Sequence, residues 1–130
     1  MFEQKNRDAV IEFLRQQLDP VFIYFADHTV TENIFDVAYY SEVTTDEYTT
    51  CLLENKVSEL LGVEVELNNL RECDMQFAGE IISDGSVVYC KSELEKSRFL
   101  NSLAREFESM RLSRAMLINR INECESMYEQ

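Results

Sequence analysis

The chain has 130 residues, of which 45% are hydrophobic and 28% are charged, and this size and balance suit a single hydrophobic core. It contains 12 basic and 25 acidic residues, and its formal net charge of -13 repels nucleic acid and anionic membrane surfaces. We therefore predict one acidic domain over residues 1–130 that binds neither nucleic acid nor membrane directly.

The first part of the chain predicts a helix followed by two strands. Apolar residues recur at helical spacing over residues 3–18, and Pro20 ends that helix. The run 21–26 is almost wholly apolar and rich in aromatic and β-branched residues, which favours a buried strand. A polar loop with the single histidine, His28, then leads to a second strand over 34–40.

The next part predicts a helix and a third strand. Thr44 and Glu47 have capping-box spacing ahead of a leucine-rich helix, and Gly62 is placed to end it. Residues 63–67 alternate Val-Glu-Val-Glu-Leu, which predicts a strand with both glutamates on one face.

The last part predicts a short helix, a short strand and a long helical segment. The short helix spans about residues 74–82, and an Asp-Gly turn leads to a strand over 87–90. From Ser92, with Glu95 at capping-box spacing, the sequence has neither glycine nor proline to its end. This predicts about 35 helical residues, either as one long helix or as a helical hairpin.

The helical segment, residues 91–130, carries an apolar stripe longer than the α/β core of residues 1–90 is expected to cover. About 35 helical residues extend about 52 Å, whereas a domain of about 90 residues has a radius near 12 Å. The stripe therefore needs a partner, either a turn of the same chain or another protein. The predicted partner-interface residues are Phe107, Met110, Leu117, Ile121 and Tyr128.

The cysteines and the N-terminal residues bear on the cellular compartment. The four cysteines include no Cys-x-x-Cys pair and no cluster of the zinc type. The N-terminus is charged where a signal peptide has an apolar run, and no stretch of about 18 apolar residues occurs. We expect reduced thiols in a cytoplasmic protein.

The negative charge is concentrated in residues 16–55, which contain eight acidic residues and no lysine or arginine. A solvated face that keeps the protein soluble is one interpretation. A surface complementary to a basic protein is the other.

Residues 59–70 read Glu-Leu-Leu-Gly-Val-Glu-Val-Glu-Leu-Asn-Asn-Leu, and Phe77-x-x-Glu80, an Asp-Gly turn, Val-Tyr89 and the long helix follow. This order and spacing resemble the MntA family of minimal nucleotidyltransferases from about residue 20 onward. The resemblance implies an α/β fold of the small nucleotidyltransferase type, with a mixed sheet of about four strands flanked by helices and a long C-terminal helix or helical hairpin. It also implies an antitoxin of a HEPN ribonuclease toxin, and active members transfer AMP from ATP onto a tyrosine of the toxin.

The family's chemistry uses a Gly-Ser turn after the first strand, an Asp-x-Asp on the second strand and a third Asp on the next, which hold two magnesium ions against a triphosphate. Here Ala26 and Asp27 stand at the turn, where they disfavour a phosphate. Ile34 replaces the first Asp, Asp36 matches the second and Glu66 falls at the third. The resemblance thus implies Asp36 and Glu66 as vestigial catalytic and metal-binding candidates, and Ala26 and Asp27 as the nucleotide-binding turn.

Three hypotheses remain open at this point. The favoured one is a catalytically degenerate antitoxin that neutralises a HEPN-type toxin by binding it, with no cofactor. The alternative is an active adenylyltransferase that uses ATP and magnesium, held by Asp36 and Glu66, to modify its toxin. A second alternative is a self-associating α/β interaction domain that forms a homo-oligomer through the apolar stripe.

Overall fold

The computed structural model describes the backbone of residues 3–26 and 34–128, with the side chains of those residues except at 84 and 112–128. By their contacts the residues form two compact units, Met1–Lys96 and Ser97–Gln130, and the single domain over 1–130 stays a prediction. The elements in chain order are α1 Gln4–Leu18, β1 Phe22–Ala26, β2 Ile34–Tyr40, α2 Glu47–Leu61, β3 Glu64–Asn69, α3 Met75–Asp84, β4 Ser86–Cys90 and α4 Glu93–Tyr128.

The strands form one mixed sheet in the order β3-β2-β1-β4. β1 runs antiparallel to both β2 and β4, whereas β2 and β3 are parallel. A parallel pair needs a crossover connection, and α2 supplies it. The predicted α/β fold with a mixed four-stranded sheet and flanking helices is confirmed.

The main core lies between one face of the sheet and the helices α1 and α2. Each helix contributes a row of buried residues at helical spacing, because only one side of an amphipathic helix faces the sheet. The core residues of β2 are the odd-numbered ones, such as Phe35 and Val37. Side chains alternate along a strand, so the even-numbered residue Asp36 lies on the opposite face of the sheet. The helix contributions are Val10, Leu14 and Leu18 from α1 and Leu53, Val57 and Leu61 from α2.

The start of α2 differs from the sequence prediction, whereas its end does not. Asp46, and not Thr44, caps the helix, because the Asp46 carboxylate accepts a hydrogen bond from the Thr49 backbone N–H at 2.7 Å. Thr44 lies two positions too early to reach the unpaired N–H groups of the first turn. Gly62 ends the helix with a φ of 74°, a conformation that glycine adopts without the Cβ penalty.

The C-terminal helical segment is one helix of 36 residues. The predicted long helix is therefore confirmed and the helical hairpin is wrong. The Ser92 hydroxyl accepts a hydrogen bond from the Glu95 backbone N–H at 3.3 Å, as the capping-box spacing predicted. Within the described residues, no helix combines the length and the apolar character needed to cross a bilayer.

Candidate functional site

The structure brings the two predicted carboxylates to the same level of neighbouring strands. Asp36 is opposite Glu66 in the parallel pair of β2 and β3, and it is opposite Ala26 in the antiparallel pair of β1 and β2. Neighbouring strands lie about 4.8 Å apart, and paired residues point to the same face of a sheet. Ala26, Asp36 and Glu66 therefore form a row across three strands, which we call the candidate site.

The candidate site runs from a buried end to an exposed end. Ala26 is fully buried, Asp36 is 6% exposed, and Glu66 is exposed. Two carboxylates about 5 Å apart repel each other by roughly 1 kcal/mol in water and roughly 3 kcal/mol at an effective dielectric constant of 20. A divalent cation between two such groups would remove this repulsion, since oxygen ligands suit magnesium.

The described residues do not complete the metal site that the resemblance implies. Ile34 lies two positions before Asp36 on the same strand and therefore on the same face, where the first carboxylate of the family motif belongs. In residues 3–26 and 34–128, no cluster of three or more His, Cys, Asp or Glu could hold a metal ion. Two carboxylates do not match a donor set for two magnesium ions. Asp27 and His28, both considered from the sequence, lie outside the described residues.

Arg7 of α1 is a cation near the end of β1 that the sequence analysis missed. Its guanidinium carbon lies 5.6 Å from the centroid of the Phe25 ring, and Phe25 directly precedes Ala26. Because Phe25 belongs to the core face, Arg7 lies on that face, and Asp36 lies on the other. The position of Arg7 follows from the packing of α1 on β1. The spacing of charges along the sequence does not reveal this packing.

Two side chains of α2 fix the position of β3. The Leu67 backbone N–H donates to Glu54 Oε2 at 2.9 Å, and the Val65 backbone N–H donates to Ser58 Oγ at 3.1 Å. β3 lies at one edge of the sheet, so these N–H groups point away from β2 and need partners outside the sheet. Glu66 lies between the two anchored residues, and α2 therefore sets the position of this exposed carboxylate.

The junction of α3 and β4 lies against the end of β1. A Cβ atom on Gly85 would lie 2.7 Å from the backbone oxygen of Ile81 and 2.8 Å from that of Phe25. The absence of a side chain at Gly85 lets β4 pair with β1 as far as the Phe25–Ser86 position. This close approach holds the end of β1, where Ala26 lies, against the junction of α3 and β4.

Cys73 is a half-buried thiol whose ionisation responds to the carboxylates around it. Burial, and to a smaller extent the negative charges of Asp74, Glu72 and Glu66, together raise the pKa of Cys73 to about 11. A thiol with such a pKa stays protonated near neutral pH and is a poor nucleophile. Cys73 therefore adds no catalytic group to the candidate site.

The predicted partner-interface residues lie along α4 in the second unit, Ser97–Gln130. Phe107 and Met110 are three positions apart, which places them on one side of the helix. The side chains of Leu117, Ile121 and Tyr128 lie outside the described residues. Their role at an interface stays a prediction.

No protein-family model matches the chain, and no curated protein matches it. Solved structures do match. The chain is similar to a chain of the toxin-antitoxin MntA-HepT structure, with a TM-score of 0.74 and 18% identity over 92% of this chain and 98% of that one. It is similar to a chain of the tri-AMPylated Shewanella oneidensis HEPN toxin in complex with MNT antitoxin, with a TM-score of 0.74 and 18% identity over 91% and 97%.

A third similar structure is a toxin-antitoxin with AMP-PNP, at a TM-score of 0.73 and 17% identity over 89% of this chain and 98% of that one. The alignments cover almost the whole length on both sides. They confirm that the chain has the fold of these MNT proteins, as the resemblance implied. At identities this low, the similarity establishes the fold alone. Any chemistry has to be argued from the residues of the candidate site.

Proposed function

We propose that the chain is an antitoxin that binds and neutralises a HEPN-type toxin without transferring AMP to it. The observation that carries this proposal is the candidate site, where Asp36 and Glu66 are in register but Ile34 and Ala26 occupy the other two motif positions. Solved structures with the same fold are MNT antitoxins in complex with HEPN toxins. Binding requires the surface of this fold and does not require a complete metal site.

The charge of the chain supports the same proposal. Residues 16–55, which include β1, β2 and the start of α2, contain eight acidic residues and no cation. One pair of like charges 4 Å apart costs about 1 kcal/mol in water and about 4 kcal/mol at an effective dielectric constant of 20. Such repulsion opposes a triphosphate at the candidate site, and the same charges attract a basic protein surface.

The double variant Asp36→Asn/Glu66→Gln tests the proposal, because it removes both charges of the candidate site and keeps the side-chain shapes. We expect it to rescue growth of cells that express the toxin to within about twofold of the wild-type chain, since binding energy comes from outside the site. Glu64→Gln, an exposed glutamate on the same strand, is the matched control. Loss of rescue in the double variant but not in the control would contradict the proposal.

A second candidate function is a magnesium-dependent adenylyltransferase that modifies its toxin. The register of Asp36 and Glu66 favours it, because paired residues on neighbouring strands have backbones about 4.8 Å apart, a spacing at which two carboxylates can share one divalent ion. Structures of this fold with a tri-AMPylated toxin and with AMP-PNP also favour it.

Melting the chain with and without ATP and magnesium separates the two functions. A ligand present at about 100 times its Kd stabilises the folded state by about 2.7 kcal/mol, which raises the melting temperature measurably. The binding-only antitoxin predicts an unchanged melting temperature at millimolar ATP and magnesium, and it predicts an unmodified toxin by intact mass. A mass increase of the toxin that depends on Asp36 would establish the enzyme.

The same proposal places the chain in the cytoplasm, where an RNA-cleaving toxin finds its substrate.

Self-association through the apolar stripe of α4 is the third candidate function, and sedimentation velocity of the isolated chain tests it. A strict monomer at high protein concentration excludes a homo-oligomer as the working form.

A further inference from the structure

One short segment contains half of the large exposed apolar side chains that the structure describes. Among the described residues, six large apolar side chains are exposed, and three of them, Val43, Tyr48 and Leu52, lie within ten positions of the sequence. Tyr48 is 73% exposed and Leu52 is 51% exposed. They are four residues apart on α2, so they lie side by side on one face of the helix. We call Tyr48 and Leu52 the α2 patch, and Val43 precedes the helix in the sequence.

The surroundings of the α2 patch are acidic. Glu42, Asp46 and Glu47 are exposed in the same segment, and one exposed cation, Lys56, lies four residues after Leu52 on the same face of α2, so acidic residues outnumber basic ones around the patch. An apolar centre with a polar and mainly acidic margin is the composition of a recognition surface. The acidic margin selects a partner that is basic where it meets this segment.

The α2 patch and the candidate site lie on opposite sides of the sheet. The buried face of α2, which includes Leu53 and Val57, packs on the sheet face that carries Phe35, whereas Asp36 points to the other face. The exposed face of α2 therefore points away from the sheet. A partner bound there would not touch Asp36 or Glu66, so this binding is independent of the carboxylates.

The charges also oppose three other occupants of the α2 patch: a second copy of the chain, nucleic acid and an anionic membrane. A second copy of this chain would bring two mainly acidic segments against each other, each on a molecule with a net charge of -13. Nucleic acid and anionic membranes are repelled for the same reason. Two anchors on one helix face suit a partner helix laid alongside, since helices pack through rows of residues at i and i+4.

Resting on the proposed function, we infer that the α2 patch is the docking surface for a basic amphipathic helix of the HEPN-type toxin. Tyr48 and Leu52 are its apolar anchors, and the acidic margin steers the association. Aromatic anchors that become buried at the centre of an interface carry much of the binding free energy.

The test compares how tightly matched surface variants of this chain bind the purified HEPN-type toxin. The patch variant is Tyr48→Ser/Leu52→Ser, and the control is Val87→Ser/Leu94→Ser, whose side chains are 42% and 62% exposed elsewhere on the chain. We expect the Kd to rise by about 10-fold to 100-fold in the patch variant, as for interface hot spots. The control should stay within about twofold, and melting temperatures of both variants verify that they are folded.

A second pair of variants tests the acidic margin. Glu47→Lys reverses a charge in the segment, and Glu80→Lys reverses an exposed charge on α3. We expect Glu47→Lys, but not Glu80→Lys, to lower the association rate constant and to make that rate less dependent on salt concentration. Electrostatic steering acts mainly on the association rate.

The outcomes separate this inference from the proposed function. If the patch variant binds the toxin as tightly as the wild-type chain does, the α2 patch is not the docking surface. The antitoxin role would remain in place. Equal losses in the patch and control variants overturn it as well, because position would then not matter. A wild-type chain that does not bind the toxin overturns both proposals.

Discussion

Replacing Glu54 by alanine should destabilise the fold by removing the partner of an edge-strand N–H. Glu54 belongs to α2, and its carboxylate accepts the hydrogen bond from the backbone of Leu67 at 2.9 Å. The bond joins the crossover helix to the outer edge of β3. Alanine is a better helix former than glutamate, so any loss of stability reflects the bond and not the helix.

The expected size of the effect follows from the type and exposure of the bond. A hydrogen bond to a charged group contributes about 1.5–3 kcal/mol when it is buried. Because the N–H of Leu67 is only partly buried, water replaces some of the lost interaction, and we expect about 1–2 kcal/mol for Glu54→Ala. Glu54→Gln keeps a carbonyl acceptor without the charge and should lose about half as much.

Urea unfolding at neutral pH measures the effect, with Glu59→Ala as the control because Glu59 is exposed on the same helix. If the free energies of unfolding of Glu54→Ala and Glu59→Ala differ by less than about 0.5 kcal/mol, the reasoning is refuted, since surface substitutions without a specific role stay within that range. Glu54→Ala combined with Ser58→Ala removes both anchors of β3. The bared edge should then cause association that grows with protein concentration, measured by light scattering.

Three further predictions concern other parts of the fold. Gly85→Ala should lower the urea midpoint by the equivalent of about 1–3 kcal/mol, because the added Cβ meets two backbone oxygens that cannot rotate aside, and a midpoint equal to the wild type would contradict this. Iodoacetamide at about pH 8 should modify the exposed Cys51 at least about 10 times faster than Cys73, whose pKa of about 11 leaves roughly one thiolate in a thousand; peptide mass spectrometry gives both rates, and equal rates would count against the burial of Cys73. Hydrogen bonds from Thr49 lower the pKa of Asp46 below its ordinary 3.8, so this stabilisation is complete above about pH 4 and is lost as the pH falls through the folded-state pKa. The stability advantage of the wild type over Asp46→Asn should therefore shrink between neutral pH and about pH 3, and an advantage that is constant with pH in urea unfolding would rule out this role of the carboxylate.

Local patterns predicted most of the elements, because polar segments with turn residues separate them. The strand over 34–40 has the same bounds in the structure, since polar residues flank an almost wholly apolar run. The start of α2 was misplaced because Thr44 and Asp46 are both good capping residues, and spacing alone does not select between them. A long apolar stripe without glycine or proline fits both one helix and a hairpin, and only the structure distinguishes them.

The candidate site was predictable in its residues and not in its arrangement. The resemblance named Asp36 and Glu66, but their register depends on a parallel pairing that α2 makes possible, and such non-local pairing leaves no periodic signal. The approach of Arg7 to the end of β1 depends on how α1 packs, and so does not follow from charge spacing. The hydrogen bond from the Leu67 backbone of β3 to Glu54 of α2 likewise joins two elements whose contact the sequence does not predict.

The order of the strands ties the integrity of the sheet to the progress of translation. β1 lies between β2 and β4, yet β4 is the last strand to leave the ribosome. Until residues 86–90 have emerged, β1 is an open edge of apolar residues, a surface that chaperones and proteases recognise. A message cut before the codon for Ser86 would thus yield a chain prone to aggregation and degradation, and only synthesis through residue 90 covers this edge of the sheet.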